Sequence, residues 1–367
     1  MSSIEVLQRA LYDLCLNFYE TEVDAKDIVF STHSIFVAFL LLYVGSMAET
    51  KKQLEKVFGF DKLDTPELYE LIALIAAPPK ENNTTKYELF NSIWAEQSVQ
   101  FKDAYIAAVK KLDAVVDKVD FSNSPESARA QINAVVMEKT GGLITELLSS
   151  GSVTSDTIAV LVNTIYFKGE WTTPFETAEL NFKDVGVVAA MEINDKFQAV
   201  FNEEYTAVKV PYNANFSMVV VMPKNMAAFE QAKEYKNVHN IVSDVFNAPS
   251  KKRLLKMPKY SIEWGGSVKK DLINLGLTIP FTPQADFKGV TDTGIVVSDV
   301  IHKAIIKVDE KGTVATAATA IVMELLSSIN IEIPLNVIIN KPFFFVIVDP
   351  HSLPIFFGKC TTPKFTE

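Results

Sequence analysis

His302 to Ala320 reads HKAIIKVDEKGTVATAATA, and its character changes twice. The run leading into it, Val296 to Val308 (VVSDVIHKAIIKV), is β-branched and apolar, which is the texture of a strand. Asp309, Glu310 and Lys311 then make a charged turn ahead of Gly312, whose missing side chain suits a change of direction. From Gly312 to Met323 there is no charge at all, where a solvated linker would carry Ser, Pro, Lys and Glu. If the chain is extended, Thr313, Ala315, Ala317, Thr319, Ile321 and Met323 project to one face. Val314, Thr316, Ala318, Ala320 and Val322 project to the other. Small residues on both faces suit a strand that slides between existing strands. The alanines suit an ordinary helix equally well, and composition alone leaves both readings open.

The surrounding chain is that of a large globule. Its 367 residues are 48% hydrophobic, with 25 Phe, 14 Gly and 16 Pro, which excludes disordered, collagen-like and low-complexity classes. The net charge of −10 argues against a nucleic-acid or anionic-membrane partner, because phosphate binding needs a surplus of Lys and Arg on one face. The basic run Lys251, Lys252, Arg253 reads as solvated surface. Two cysteines, Cys15 and Cys360, cannot staple a chain of this size, so a reducing compartment is expected. The first residues lack the basic flank and apolar core of a signal peptide. Ile35 to Val44 (IFVAFLLLYV) is far shorter than the ~20 residues that span a bilayer and reads as a buried helix. Asn82, Asn83 and Asn215 fit the glycosylation pattern, which arises often by chance and matters only after export.

The first 150 residues read mainly as helices. Ile4, Leu7, Leu11, Leu14 and Phe18 recur at helical spacing, a second amphipathic stretch runs from Met47 to Phe58 and stops at Gly59, and Ser124-Pro125-Glu126 opens a third that ends at Gly141-Gly142. From Thr157 strands dominate: IAVLVNTIYF, then FSMVVVM at Phe216 to Met222 and FFFVIV at Phe343 to Val348. Helices first and strands later point to an α+β fold, and no linker divides the chain, so one domain over 1–367 is expected.

Catalytic signatures are missing, including C-x-x-C, H-E-x-x-H, G-x-G-x-x-G, the P-loop and G-x-S-x-G. His33, His239, His302 and His351 have no metal-ligand spacing. The expectation is a protein that is not an enzyme and needs no cofactor or metal.

The opening segment nevertheless closely resembles the hinge of the serpins, the serine protease inhibitors. NTIYFKGEWTTPF (Asn163–Phe175), VPYNANFSMVVVMPK (Val210–Lys224), LKMPKYSIEW (Leu255–Trp264) and NKPFFFVIVDPHSLPIFFGKCTTP (Asn340–Pro363) look like serpin segments in serpin order. The resemblance implies three β-sheets, about nine helices and an exposed reactive-centre loop over 310–335, with its hinge at 310–320. It also implies a suicide-substrate mechanism. A serine protease cleaves the loop and is trapped as the acyl-enzyme when the freed loop inserts into the central sheet. The partner implied is thus a chymotrypsin-fold serine protease, the inhibitor itself being a monomer that is cytoplasmic or secreted without a cleavable signal. A non-inhibitory serpin acting as chaperone, carrier or storage protein is the alternative, disfavoured because such hinges are typically bulky or charged.

Carried over by residue, Glu310 would begin the hinge, Gly312 and Thr313 would be its pivot, and Ala315, Thr316, Ala317 and Ala318 its small stretch. The usual hinge length implies a reactive bond between Leu326 (P1) and Ser327, with Leu325, Met323 or a bond slightly downstream as alternatives. Thr313 is expected at the exposed base of the loop. Ser31, Ser34, Asn163 and His302 match the polar cluster under the central sheet, and Trp171 and Lys259 match its upper end, with Lys259 a partner for Glu310. Thr32 and His33 depart from the family, whose members usually carry Pro and an apolar or aromatic residue there. His33 is read as a neutral, hydrogen-bonded residue, with a loosened sheet or a pH-sensitive sheet opening as the alternative.

Overall fold

The computed structural model describes residues 3–62, 85–112, 114–313 and 335–366. The central element is a six-stranded sheet ordered β10 (Tyr260–Ser267), β11 (Asp299–Asp309), β12 (Gly312–Thr313), β4 (Ala159–Glu170), β2 (Thr85–Glu96), β3 (Val115–Val119). A nine-stranded array lies behind its upper half. It runs β1 (Ile28–Phe30), β15 (Pro354–Cys360), β14 (Phe343–Val348), β8 (Ser217–Pro223), β7 (Tyr205–Pro211), β6 (Gly186–Phe201), β9 (Ser250–Pro258), β13 (Val337–Ile338), with β5 (Glu176–Phe182) also on β6. The long β6 passes from one set of partners to the other, pairing β9 through Gln198 and β7 from Ala199, so the array is two sheets joined by a shared strand. The three sheets of the expectation are therefore present, with eight α-helices among the described residues.

Helix α2 (Thr32–Tyr43) is buried along its whole length, as expected of a helix apolar on every side. It lies under the central sheet and shares a core with α1 (Ser3–Thr21) and α3 (Ala48–Phe58). Helix α3 stops where the sequence indicates, at Gly59 with φ of +72°. On the opposite face of the sheet, Ile132 and Val136 of a later helix, Pro125–Lys139, pack on Trp94, Val160 and Ile301. That helix starts at Ser124 as expected, but the Ser124 side chain makes no capping hydrogen bond.

The first half of the chain is less helical than its reading implies, because β2 and β3 fall within it. Asn91 and Ser92 interrupt the apolar run of β2, and Phe90 through Ala95 are all buried, so no alternation betrays the strand. Arg253 also departs from expectation. Lys251 and Lys252 are exposed, whereas Arg253 is buried with its guanidinium 5.0 Å from the Phe201 ring centre. Alternation along β9 turns that third side chain inward.

Candidate functional site at the opening of the central sheet

Strands β4 and β11 run parallel and pair from Val160/Asp299 only as far as Ile165/Ala304. Above that they part, and β12 fits between them, antiparallel to both, with Thr313 opposite Val308 and Gly169 and Gly312 opposite Asp309 and Glu170. Among the described residues no strand joins Tyr166–Lys168 to Ile305–Lys307 in the interval below β12.

The turn feeding β12 is held from several sides. Asp309 Oδ1 accepts the Lys311 and Gly312 amides at 2.8 and 3.2 Å, and the Trp171 indole N–H donates to the Asp309 carbonyl at 2.8 Å. The Phe175 and Trp171 amides donate to the carbonyls of Glu310 and Lys311. The Glu310 carboxylate accepts from Lys259 Nζ at 3.0 Å and from the Thr177 hydroxyl at 2.8 Å. Burial opposes its ionisation, but its own backbone N–H, Thr177 and Lys259 together hold the carboxyl below its ordinary value.

Gly312 is required by geometry. Its φ is +152°, and a Cβ there would stand 2.0 Å from the Gly169 carbonyl oxygen. Thr313 corrects the sequence expectation. It is fully buried, with its hydroxyl 2.7 Å from the Tyr212 phenol, because Gly312 and Thr313 already pair with both β11 and β4.

Lower in the sheet, His302 and Asn163 are register partners on β11 and β4. The Ser31 side chain caps α2 by accepting the Ser34 amide at 3.1 Å, and the Ser31 amide donates to His302 Nε2 at 3.2 Å. His302 Nδ1–H donates in turn to Asn163 Oδ1, whose amide group bonds the Ser34 carbonyl at 2.8 Å and Asn91. Both imidazole nitrogens are thereby satisfied in one neutral tautomer, and burial pushes the His302 pKa down to about 3. Burial does the same to His33, so its neutral reading fits. Ser31, Ser34, Asn163 and His302 thus meet as expected, and Trp171, Lys259, Glu310, Gly312 and Thr313 meet above them. Ala315, Thr316, Ala317, Ala318, Leu326 and Ser327 lie outside the described residues. Asn91, Thr177 and Tyr212 were not anticipated; the polar pair Asn91-Ser92 inside a buried strand was the one available signal for Asn91.

The Leu335 carbonyl accepts from Arg253 Nη1 at 3.0 Å, and β13 pairs with the edge of β9 two residues later. The family model described as "Serpin (serine protease inhibitor)" matches residues 9–363. The chain belongs to the serpin family. This serpin is 30% identical to the leukocyte elastase inhibitor of Bos taurus, over 97% of this chain and 98% of the relative. It is equally identical, at 30%, to an uncharacterized serpin-like protein of Methanosarcina acetivorans, over 93% of this chain and 82% of that one. Uncleaved ovalbumin superposes with a TM-score of 0.87 at 24% identity, covering 97% of this serpin and all of ovalbumin, a likeness of fold. No helix among the described residues is long and apolar enough to cross a membrane.

Proposed function

We propose that this serpin is an irreversible inhibitor of a chymotrypsin-fold serine protease that accepts a large apolar P1 residue, such as a chymotrypsin-, cathepsin G- or elastase-like enzyme. The observation that carries the reading is the seated hinge: Gly312 and Thr313 already occupy the cleft between β4 and β11, and among the described residues no strand joins the two directly beneath them. Continued in the same register, Ala315 would fall opposite Ile306 and Phe167, Ala317 opposite Ala304 and Ile165, and Thr319 opposite His302 and Asn163. The first four facing residues are buried and apolar and the last two are polar. The inward series Ala, Ala, Thr therefore matches the chemistry it would meet.

The protease supplies the catalytic groups. Its serine oxygen attacks the Leu326 carbonyl, the Leu326–Ser327 bond breaks, and the Ser327 amine departs with a proton, leaving Leu326 as an ester on the enzyme. Insertion then competes with hydrolysis of that ester. Ladder hydrogen bonds and burial drive insertion, and the small hinge residues keep it fast. Glu310 through Ala318 act as the hinge in this scheme, and parting His302 from Asn163 opens the sheet. A monomer in the cytoplasm, or exported without a cleavable signal, fits the free buried thiols of Cys15 and Cys360. The test is an SDS gel after mixing with a small panel of proteases, followed by mass spectrometry of any stable complex. A serine ester at Leu326 is expected. Plain cleavage with full turnover by every protease that attacks the loop would sink the reading.

A further inference from the structure

After β15 the chain turns back along the central sheet. The Thr361 and Thr362 amides donate to Asp27 Oδ1 at 2.6 and 3.1 Å, and Pro363 is buried. The next residues lie beside β10, an edge strand: the Ser261 amide donates to the Lys364 carbonyl at 2.7 Å and the Thr366 amide reaches Ser261 Oγ at 3.5 Å. This lies on the strand edge that β11 leaves free. Between those anchors, half-buried Phe365 presents its ring to Lys259, with Nζ 4.6 Å from the ring centre. The same ammonium is 3.0 Å from Glu310 Oε1, and the Lys259 side chain is only 15% exposed. Lys259 is therefore held between an aromatic face and the carboxylate that begins the hinge.

Lysine is among the side chains most costly to order, and a lone exposed Lys–Glu pair contributes little. A ring on the far side of the ammonium changes that balance. It attracts the cation through its quadrupole, excludes water and fixes the rotamer that reaches Glu310. We propose that Phe365 is a positioning residue for the hinge, acting through Lys259. With the ring in place, Lys259 stays on Glu310, and the carbonyls of Glu310 and Lys311 stay on the Phe175 and Trp171 amides. Without it, the turn that seats Gly312 and Thr313 loosens. The consequence for protease trapping rests on the inhibitory reading above; the loosening itself does not.

The experiment measures hydrogen exchange of the Trp171 and Phe175 amides in the full chain, comparing wild type with Phe365→Ala, Phe365→Trp, Lys259→Met and the double variant Phe365→Ala/Lys259→Met. Phe365→Ala should speed exchange at both amides about three- to tenfold. Phe365→Trp should keep the protection, and Phe365→Ala should add nothing once Lys259 is Met. Unchanged exchange in Phe365→Ala, or equal acceleration on top of Lys259→Met, overturns the proposal. Amides of β8 serve as the control for global unfolding. Should Phe365→Ala expose those as well, Phe365→Leu, which keeps apolar cover without the aromatic face, is judged by the same two outcomes. Looser amides in a serpin that traps no protease would leave this role standing and remove the inhibitory one. A trapping wild type with unchanged amides in the variant would do the reverse.

Discussion

The Thr313 hydroxyl and the Tyr212 phenol lie 2.7 Å apart inside the upper central sheet, and Tyr212 stacks on Trp171 with ring centres 4.1 Å apart. The hinge is therefore joined to the sheet at Thr313, the second residue of β12, while the chain is intact. Thr313 faces the core between Val308 and Gly169, and its polar atom has a waiting partner.

Thr313→Val should consequently destabilise the uncleaved protein. The swap keeps the shape and strands the buried Tyr212 phenol, whose pKa burial already raises, at a cost of about 1–3 kcal/mol. Urea unfolding checks this, and an unchanged midpoint would show that the pair contributes nothing. Thr313→Arg should be worse, because the base of the loop is not solvent here.

Deeper hinge positions separate trapping from stability. In the extended register, Ala317 arrives between buried Ala304 and Ile165, whereas Thr316 arrives between Ile305 and Tyr166, both half-buried on the other face. An arginine at 317 would have to lose its hydration without a partner, a penalty of several kcal/mol. Each ~1.4 kcal/mol added to the insertion barrier slows trapping about tenfold, so ester hydrolysis wins. Ala317→Arg should behave as a substrate, with many molecules consumed per protease, while Thr316→Arg stays near one to one. Equal stoichiometries for the two variants would mean that insertion does not follow this register.

The hinge was legible because its composition is abnormal for a loop, and the strands β8, β11 and β14 because β-branched and aromatic residues crowd them. The polar cluster was legible only through the resemblance, since Ser31 and His302 are 271 residues apart and nothing local joins them. The seating of Thr313 was not legible at all. It depends on where β4 and β11 part, which is a property of two distant strands and not of the hinge itself. Phe365 and Arg253 were missed for a related reason. A lone aromatic near the end of the sequence and the third residue of a basic run acquire meaning only from what β10 and β13 bring beside them.

Specificity should follow the residue at the reactive bond. Leu326→Arg is expected to move inhibition from chymotrypsin-like to trypsin-like proteases, whose primary pocket holds a carboxylate, while removing an apolar contact worth about 1.5–3 kcal/mol. Inhibition rates against one enzyme of each kind measure the change. Retained chymotrypsin inhibition, with the scissile bond mapped elsewhere, would move P1 to Leu325, Met323 or a downstream residue.

Acid should weaken the fold through two buried histidines, His33 on α2 and His302 on β11. His33 and His302 are both pushed from 6.5 down to about 3 by burial, so above about pH 6.5 folded and unfolded states are equally neutral and stability is complete. As pH falls from there toward 3, the unfolded chain takes up protons that the folded one refuses, at about 1.4 kcal/mol per pH unit for each histidine. Protonating His302 would also set an N–H against the Ser31 amide. Unfolding free energies between about pH 7 and 5.5, above the carboxylate range, should show this slope, and His33→Phe should remove about half of it. A slope unchanged by His33→Phe would mean that His33 takes up a proton within the folded protein.

Gly312 offers the sharpest test of the seated hinge. A methyl group at this position meets the Gly169 carbonyl oxygen at 2.0 Å and the Glu170 Cα at 2.7 Å, both backbone atoms of β4 that cannot rotate away. The φ of +152° adds a conformational penalty that glycine alone avoids. Gly312→Ala should therefore push β12 out of the cleft, at a cost to the uncleaved protein of at least about 1 kcal/mol. Thr313 would leave Tyr212, and the stacked Trp171 would report the change as altered fluorescence, although none of its own atoms is replaced. Protease trapping should suffer too, because the inserted loop would carry the same clash against β4 after cleavage. Wild-type fluorescence, stability and stoichiometry in Gly312→Ala would together mean that the hinge does not occupy the space between β4 and β11.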